Sequence, residues 1–165
     1  MPYSLTPQEL AIRLGVAALC GFLIGLEREI KHKSLGVRAF VLVCLGSAGF
    51  SLTLIEITNF YISTYDDIAM DPTRIIQGIV TGIGFLGGGA ILQSQGKVKG
   101  AATGASIWVA GGIGVACGYG FYWHAFITTA YAFLILTIFG YCRAKFRDDV
   151  KDNIKEEEKP ERDEG

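Results

Sequence analysis

The chain has 165 residues, of which 22 are glycine and half are hydrophobic, with a mean hydropathy of +0.37. Fifteen basic and sixteen acidic residues nearly cancel, yet they are segregated: seven Lys/Arg and nine Asp/Glu crowd into the 23 residues from Arg143 onward. An apolar body with a net acidic tail excludes a nucleic-acid-binding domain, and the length leaves no room for a second folded one.

A hydrocarbon core of about 30 Å needs about 20 helical residues, and five hydrophobic segments reach that length. The first runs from Pro7 to Leu26. Thr6 is a good N-cap, Pro7 suits the first helical position, and Glu9 completes a capping box. Glu9 and Arg13 within it, and the lack of a basic leader, set it apart from a cleavable signal peptide. The second segment covers Arg38 to Ile62. The third opens at Asp71-Pro72, again a cap followed by a helix-starting proline, and continues to Gln93. The fourth covers Ala101 to Gly118 and the fifth Tyr122 to Tyr141. The expected fold is therefore an all-α membrane protein, a five-helix transmembrane bundle over residues 1–142. A charged cytoplasmic tail, partly disordered, is expected over 143–165.

Positive charge alternates along the loops. Arg28, Lys31, Lys33 and Arg38 follow the first segment, whereas the next loop holds Asp66, Asp67 and Asp71 with one arginine. Lys97 and Lys99 come next, then an uncharged turn from Gly118 to Phe121, then Arg143, Lys145 and Arg147. The positive-inside rule places the N-terminus outside and the tail in the cytoplasm. Trp123, Tyr119 and Tyr122, around His124, suit an aromatic belt at the outer surface. His32 is a loop residue.

Glycine costs about 1 kcal/mol relative to alanine in a water-exposed helix, but in lipid it lets backbones approach closely. Gly78, Gly82, Gly89 and Gly96 are spaced four, seven and seven residues apart, and so are Gly100, Gly104, Gly111 and Gly118. Thr81 and Thr103 each precede the second glycine of a set. This spacing predicts that Gly78, Gly82, Gly89, Gly104, Gly111 and Gly118 are helix-packing positions. They would serve within a tight third–fourth helix hairpin or toward a partner subunit. Two other origins stay open: a remote duplication, or a broken helix at Gly87-Gly88-Gly89 lining a site.

Ionisable groups at membrane depth are costly and tend to pair inside the bundle. Glu27, Arg28 and Glu29 close the first segment and Arg38 opens the second, so an inner charged cluster is expected, with Glu27 or Glu29 paired to Arg28 or Arg38, the Glu27–Arg38 pair being the one to test. The alternative is four interfacial charges reaching headgroups. Asp71, Arg74 and Gln77 form the corresponding outer polar cluster, with Arg13 and Glu56 near the same level; Asp71 is first a helix cap, with cation contact as a second role. Cys20, Cys44 and Cys117 lie in apolar segments and Cys142 at the inner end of the fifth. With no CxxC and no histidine at ligand spacing, they suit packing better than metal binding. HExxH, GxSxG and P-loop motifs are absent, so no enzymatic activity is expected and no cofactor is implied, magnesium alone being conceivable.

Three ordered blocks carry a family resemblance: GLEREIKHKSLGVRAFVLVCLGSAGF, DPTRIIQGIVTGIGFLGGGAIL and VKGAATGASIWVAGGIGVACG. Over about residues 5 to 140 the chain resembles the transmembrane domain of the MgtC/SapB family of bacterial membrane proteins. The resemblance implies a five-helix unit in the bacterial inner membrane, linked to growth in low magnesium and to virulence. The founding branch is described as restraining the F-type ATP synthase, which makes that complex a partner by analogy. Glu27, Arg28, Arg38, Cys44, Asp71, Arg74 and Gly82 to Gly89 sit on family motif positions. The founding branch carries a folded cytoplasmic C-terminal domain, whereas here a charged tail follows Tyr141.

Two function classes follow. One is a small regulatory or interaction protein of ion homeostasis, binding another membrane complex or a second copy as a homodimer. The other is a magnesium transporter or channel. Magnesium holds its waters and prefers a few carboxylates, and the segments Ile75–Leu92 and Ala101–Cys117 contain none. The regulatory class is favoured, although backbone carbonyls can also line a filter.

Overall fold

The computed structural model of the chain describes residues 5–64, 71, 73–94 and 97–157, and side chains within these except at 63, 92–94, 97 and 142–157. Asp66, Asp67, Pro72, Gly96, the Cys142 side chain and residues 158–165 lie outside that description. The elements are α1 (Pro7–Ile30), α2 (Val37–Thr64), α3 (Thr73–Gly89), β1 (Leu92–Ser94), β2 (Lys97–Lys99), α4 (Ala101–Gly118) and α5 (Tyr122–Glu157). They fall into two compact units, one ending at Phe133 and one beginning at Leu134. The second is helical through Glu157, well past Tyr141.

Helix α1 starts as its sequence directs. The Glu9 N–H donates to the Thr6 hydroxyl at 3.3 Å and the Thr6 N–H to Glu9 Oε2 at 2.9 Å, the reciprocal capping box, with Pro7 in the first turn. It then runs to Ile30 rather than ending at Leu26. Glu-Arg-Glu are good helix formers, and Glu27 meets Lys31 one turn on. The helix closes in a Schellman turn: the Lys33 N–H donates to the Arg28 carbonyl at 3.0 Å, and His32 takes the left-handed conformation at φ 48°. Glu27, Arg28 and Glu29 are thereby fixed on a helix.

Three helices form a close-packed trio in which glycine repeatedly admits a neighbour. A Cβ on Gly25 would lie 2.6 Å from Val37 Cα, and one on Gly21 2.9 Å from Val41 Cα, so α2 lies antiparallel against α1. Across the trio, a Cβ on Gly114 would lie 2.7 Å from Ser47 Cβ, and one on Gly118 2.5 Å from Ser51 Cβ, which sets α4 parallel to α2. Cys20, Ile24, Phe40, Cys44, Ile113 and Cys117 fill the interior and are essentially inaccessible. The Cys44 thiol donates to the Ala110 carbonyl at 3.1 Å. Helix α5 enters through Ala125 and Thr129, both buried. Its Trp123, Tyr131, Phe139 and Tyr141 stay exposed, as lipid-facing side chains do.

Helix α3 packs on α4, with Gly87 facing Gly104 (a Cβ on Gly87 would lie 2.9 Å from the Gly104 carbonyl oxygen) and Ile83 seated on Gly111. It ends at Gly89 rather than reaching Gln93. Three successive glycines weaken the helix there, and the chain turns into an antiparallel hairpin, with Leu92 opposite Lys99 and Ser94 opposite Lys97. Gly100, at φ 88°, closes the hairpin; a Cβ there would collide with the Ala90 carbonyl oxygen. The sequence pattern had suggested only a short loop at this place.

Among the described residues, four helices are long and apolar enough to cross a membrane: Pro7–Ile30, Val37–Ile62, Ala101–Gly118 and Tyr122–Tyr141. Helix α3, 17 residues and hence about 25 Å, is shorter than the usual span.

Candidate functional site at the Glu27 end of the bundle

Four charges expected to cluster here take separate roles. Glu27 and Arg28 are 5% and 4% exposed, rare burial for charged residues. Arg28 turns toward α4, and its Nη2 donates to the Thr103 hydroxyl at 2.5 Å. Glu27 is bridged by Lys31, Nζ to Oε1 at 2.7 Å, and not by Arg38. Glu29 caps the next helix: its Oε2 accepts the Val37 N–H at 2.8 Å, an anion at a helix N-terminus where the backbone dipole favours it. Gly36 makes room for that carboxylate, since a Cβ there would meet Oε2 at 2.6 Å. Arg38 is exposed and has no ion pair among the described residues.

The Lys31 contact leaves the Glu27 carboxylate short of bonds. Neither Glu27 oxygen finds a partner in hydrogen-bond geometry, nor does Arg28 Nε. A buried unsatisfied carboxylate costs several kcal/mol unless a neighbouring charge compensates, and Lys31 on one side with Arg28 beside it provide that compensation. The arrangement ties α1 to α4 and, through Glu29, to α2. Chemically it is a charged lock on the trio. Cys44, a further position the family resemblance singles out, lies farther into the trio between Gly21 of α1 and Gly114 of α4.

At the opposite end Arg13 reaches from α1 to the C-terminus of α4 and donates Nη1 to the Gly118 carbonyl at 2.8 Å, one of the acceptors a helix end leaves open. Tyr119, beside it, is partly buried with its hydroxyl unpartnered, and desolvation pushes that phenol above its ordinary pKa. Asp71 accepts both the Thr73 hydroxyl (2.6 Å) and the Thr73 N–H (2.9 Å) at the start of α3. The Thr73 hydroxyl first, and then the N–H, hold the Asp71 carboxyl below the usual range. Arg74 touches Asp71 only through the backbone, its N–H to the Asp71 carbonyl at 3.4 Å, and the Gln77 side chain is exposed. Among the described residues no side-chain bond joins Asp71, Arg74 and Gln77. Nor do these residues include three or more His, Cys, Asp or Glu placed to hold a metal ion.

The packing glycines divide. Gly104 and Gly111 face α3, whereas Gly118 faces α2, so they do not form one seam. A Cβ on Gly78, Gly82 or Gly89 would meet nothing within 4 Å. Sequence pattern missed Gly21, Gly25 and Gly114, which lie outside the four-seven-seven spacing. It also missed Thr103 as a polar partner, although a threonine level with an arginine in an apolar hairpin was the available signal.

A glycine-packed helical core, apolar side chains on its outer faces and a charged lock at one end define a helical membrane protein. The MgtC family model matches residues 14–144. SapB of Bacillus subtilis (strain 168) is 42% identical over 120 residues, 72% of this chain and 51% of that protein. YhiD of Escherichia coli (strain K12), named provisionally as a magnesium transporter, is 36% identical over 132 residues, 79% and 60% of the two. MgtC of Brucella abortus (strain 2308) is 37% identical over 118 residues, 72% and 46%. The chain belongs to the MgtC family. It spans about half the length of the curated relatives it matches. No solved structure is similar to it.

Proposed function

We propose that the protein is a multi-pass component of the bacterial inner membrane that acts in magnesium homeostasis as a regulatory or interaction module. All five helices would cross or nearly cross the bilayer, with the N-terminus outside, as the alternation of Lys/Arg between loops favours. The observation that carries this reading is the use made of glycine in the trio. Gly21, Gly25, Gly114 and Gly118 bring backbones into contact across α1, α2 and α4, leaving a solid interior where a conducting path would need space. The buried Glu27 is held by Lys31 at one edge. Such a rigid body presents surfaces, and its partner is a second copy or a membrane complex, the F-type ATP synthase being the one the family resemblance suggests. No enzymatic role is proposed.

Proteoliposomes holding the purified chain and a magnesium-sensitive dye test this directly. The expected result is no magnesium entry above that of protein-free vesicles, from a preparation whose gene supports growth in low magnesium. Magnesium flux that saturates and is lost in Glu27→Gln would overturn it in favour of a transporter.

A further inference from the structure

Between α2 and α3 lies a groove of about 770 Å³, floored where Gly46, Gly78 and Gly82 leave open space and walled by Phe50, Leu54 and Ile79. Its hydroxyls are already engaged: Ser47 donates to the Val43 carbonyl at 2.8 Å and Thr53 to the Gly49 carbonyl at 2.9 Å. The groove therefore asks for hydrocarbon along its length. At one end stands Arg74, among the described residues the single ionisable side chain lining it, exposed and without an ion pair. The neighbouring Asp71 carboxylate is occupied by Thr73.

We propose that this groove holds one anionic phospholipid, its phosphate on Arg74 and an acyl chain between α2 and α3. Charge complementarity argues for the headgroup, since a guanidinium pairs with phosphate oxygens through two parallel N–H donors. Length argues for the chain. From Arg74 to Leu86 the groove follows about 18 Å of helix, close to the roughly 15 Å of hydrocarbon in one leaflet. A transmembrane helix from another copy would need about twice that. Charge at one end only, and half a bilayer of apolar wall, match a lipid.

The test is native mass spectrometry of the full chain in mild detergent, titrated with phosphatidylglycerol or phosphatidylcholine of matched chains. The expected result is one retained lipid with about fivefold preference for phosphatidylglycerol. Arg74→Gln should bring the two headgroups to equal affinity. Gly82→Phe, which fills the groove, should lose both lipids while Gly88→Phe, open but outside the groove, keeps them, with all variants melting like wild type. Absence of headgroup preference, or a preference unchanged in Arg74→Gln, would overturn the proposal. A lipid-free dimer broken by Gly82→Phe would equally overturn it, assigning the groove to a second copy.

Discussion

Arg28 of α1 donates to the Thr103 hydroxyl of α4 across 75 residues of sequence, with both side chains buried. A cation and a hydroxyl thus join the two helices at one end of the bundle, as Arg13 and the Gly118 carbonyl join them at the other. Thr103→Val keeps the volume but strands a guanidinium nitrogen, and should cost about 1–3 kcal/mol. Thr103→Ser should cost far less. Denaturation in detergent, run as a double-mutant cycle with Arg28→Met, should show a coupling above about 0.5 kcal/mol; strictly additive losses would mean that the bond adds nothing.

Glu29 and Arg38 lie close in sequence yet should respond oppositely. Glu29→Ala removes the acceptor of the Val37 N–H and should cost about 1 kcal/mol, the usual value of a lost helix cap. Arg38→Ala alters an exposed side chain and should stay within about 0.5 kcal/mol. The same melts report both.

The glycines separate into packed and open sets. Gly114→Ala and Gly25→Ala drive a methyl group into α2 backbone and should each cost about 1–3 kcal/mol. Gly78→Ala and Gly82→Ala meet no neighbour and should be neutral or stabilising by up to about 1 kcal/mol. Equal loss of thermal stability in all four would contradict this division.

Asp71 sets an acid limb at the start of α3. Its folded-state pKa is depressed by the Thr73 hydroxyl and N–H. The stability it contributes is therefore present above the carboxylate's unfolded pKa and lost as pH falls through the lower folded one. Amide exchange at the start of α3 should be flat near neutrality and quicken in acid relative to the intrinsic rate. Asp71→Asn should exchange faster at neutral pH and lack the acid step.

The proposed orientation is open to labelling. Asp71→Cys should react with an impermeant maleimide in intact cells, and Lys99→Cys only after permeabilisation. Reversed accessibility at either position would require the opposite orientation.

Local signals in the sequence were legible and distant ones were not. The capping box at Thr6 and Glu9 and the limits of α4 follow from neighbouring residues, and the structure shows them where expected. The end of α3 did not, because Ala90, Ile91 and Leu92 continue an apolar run that hydropathy alone reads as helix, while the hairpin depends on Gly100 several residues later. Charge pairing was the least legible. Adjacency along the chain leaves open whether Glu27 or Glu29 pairs with Arg28 or Arg38, and in the structure the helix continues through Glu27. That sets Arg28 toward α4 and leaves Lys31, one turn on, as the nearest cation. Spacing alone could not tell a glycine that admits a backbone from one that opens a groove.

Cys20, Cys44 and Cys117 are each wholly inaccessible within the trio. No alkylating reagent can reach them while α1, α2 and α4 stay together. The protein thereby carries its own clock: the rate at which these thiols become reactive measures how often the bundle comes apart.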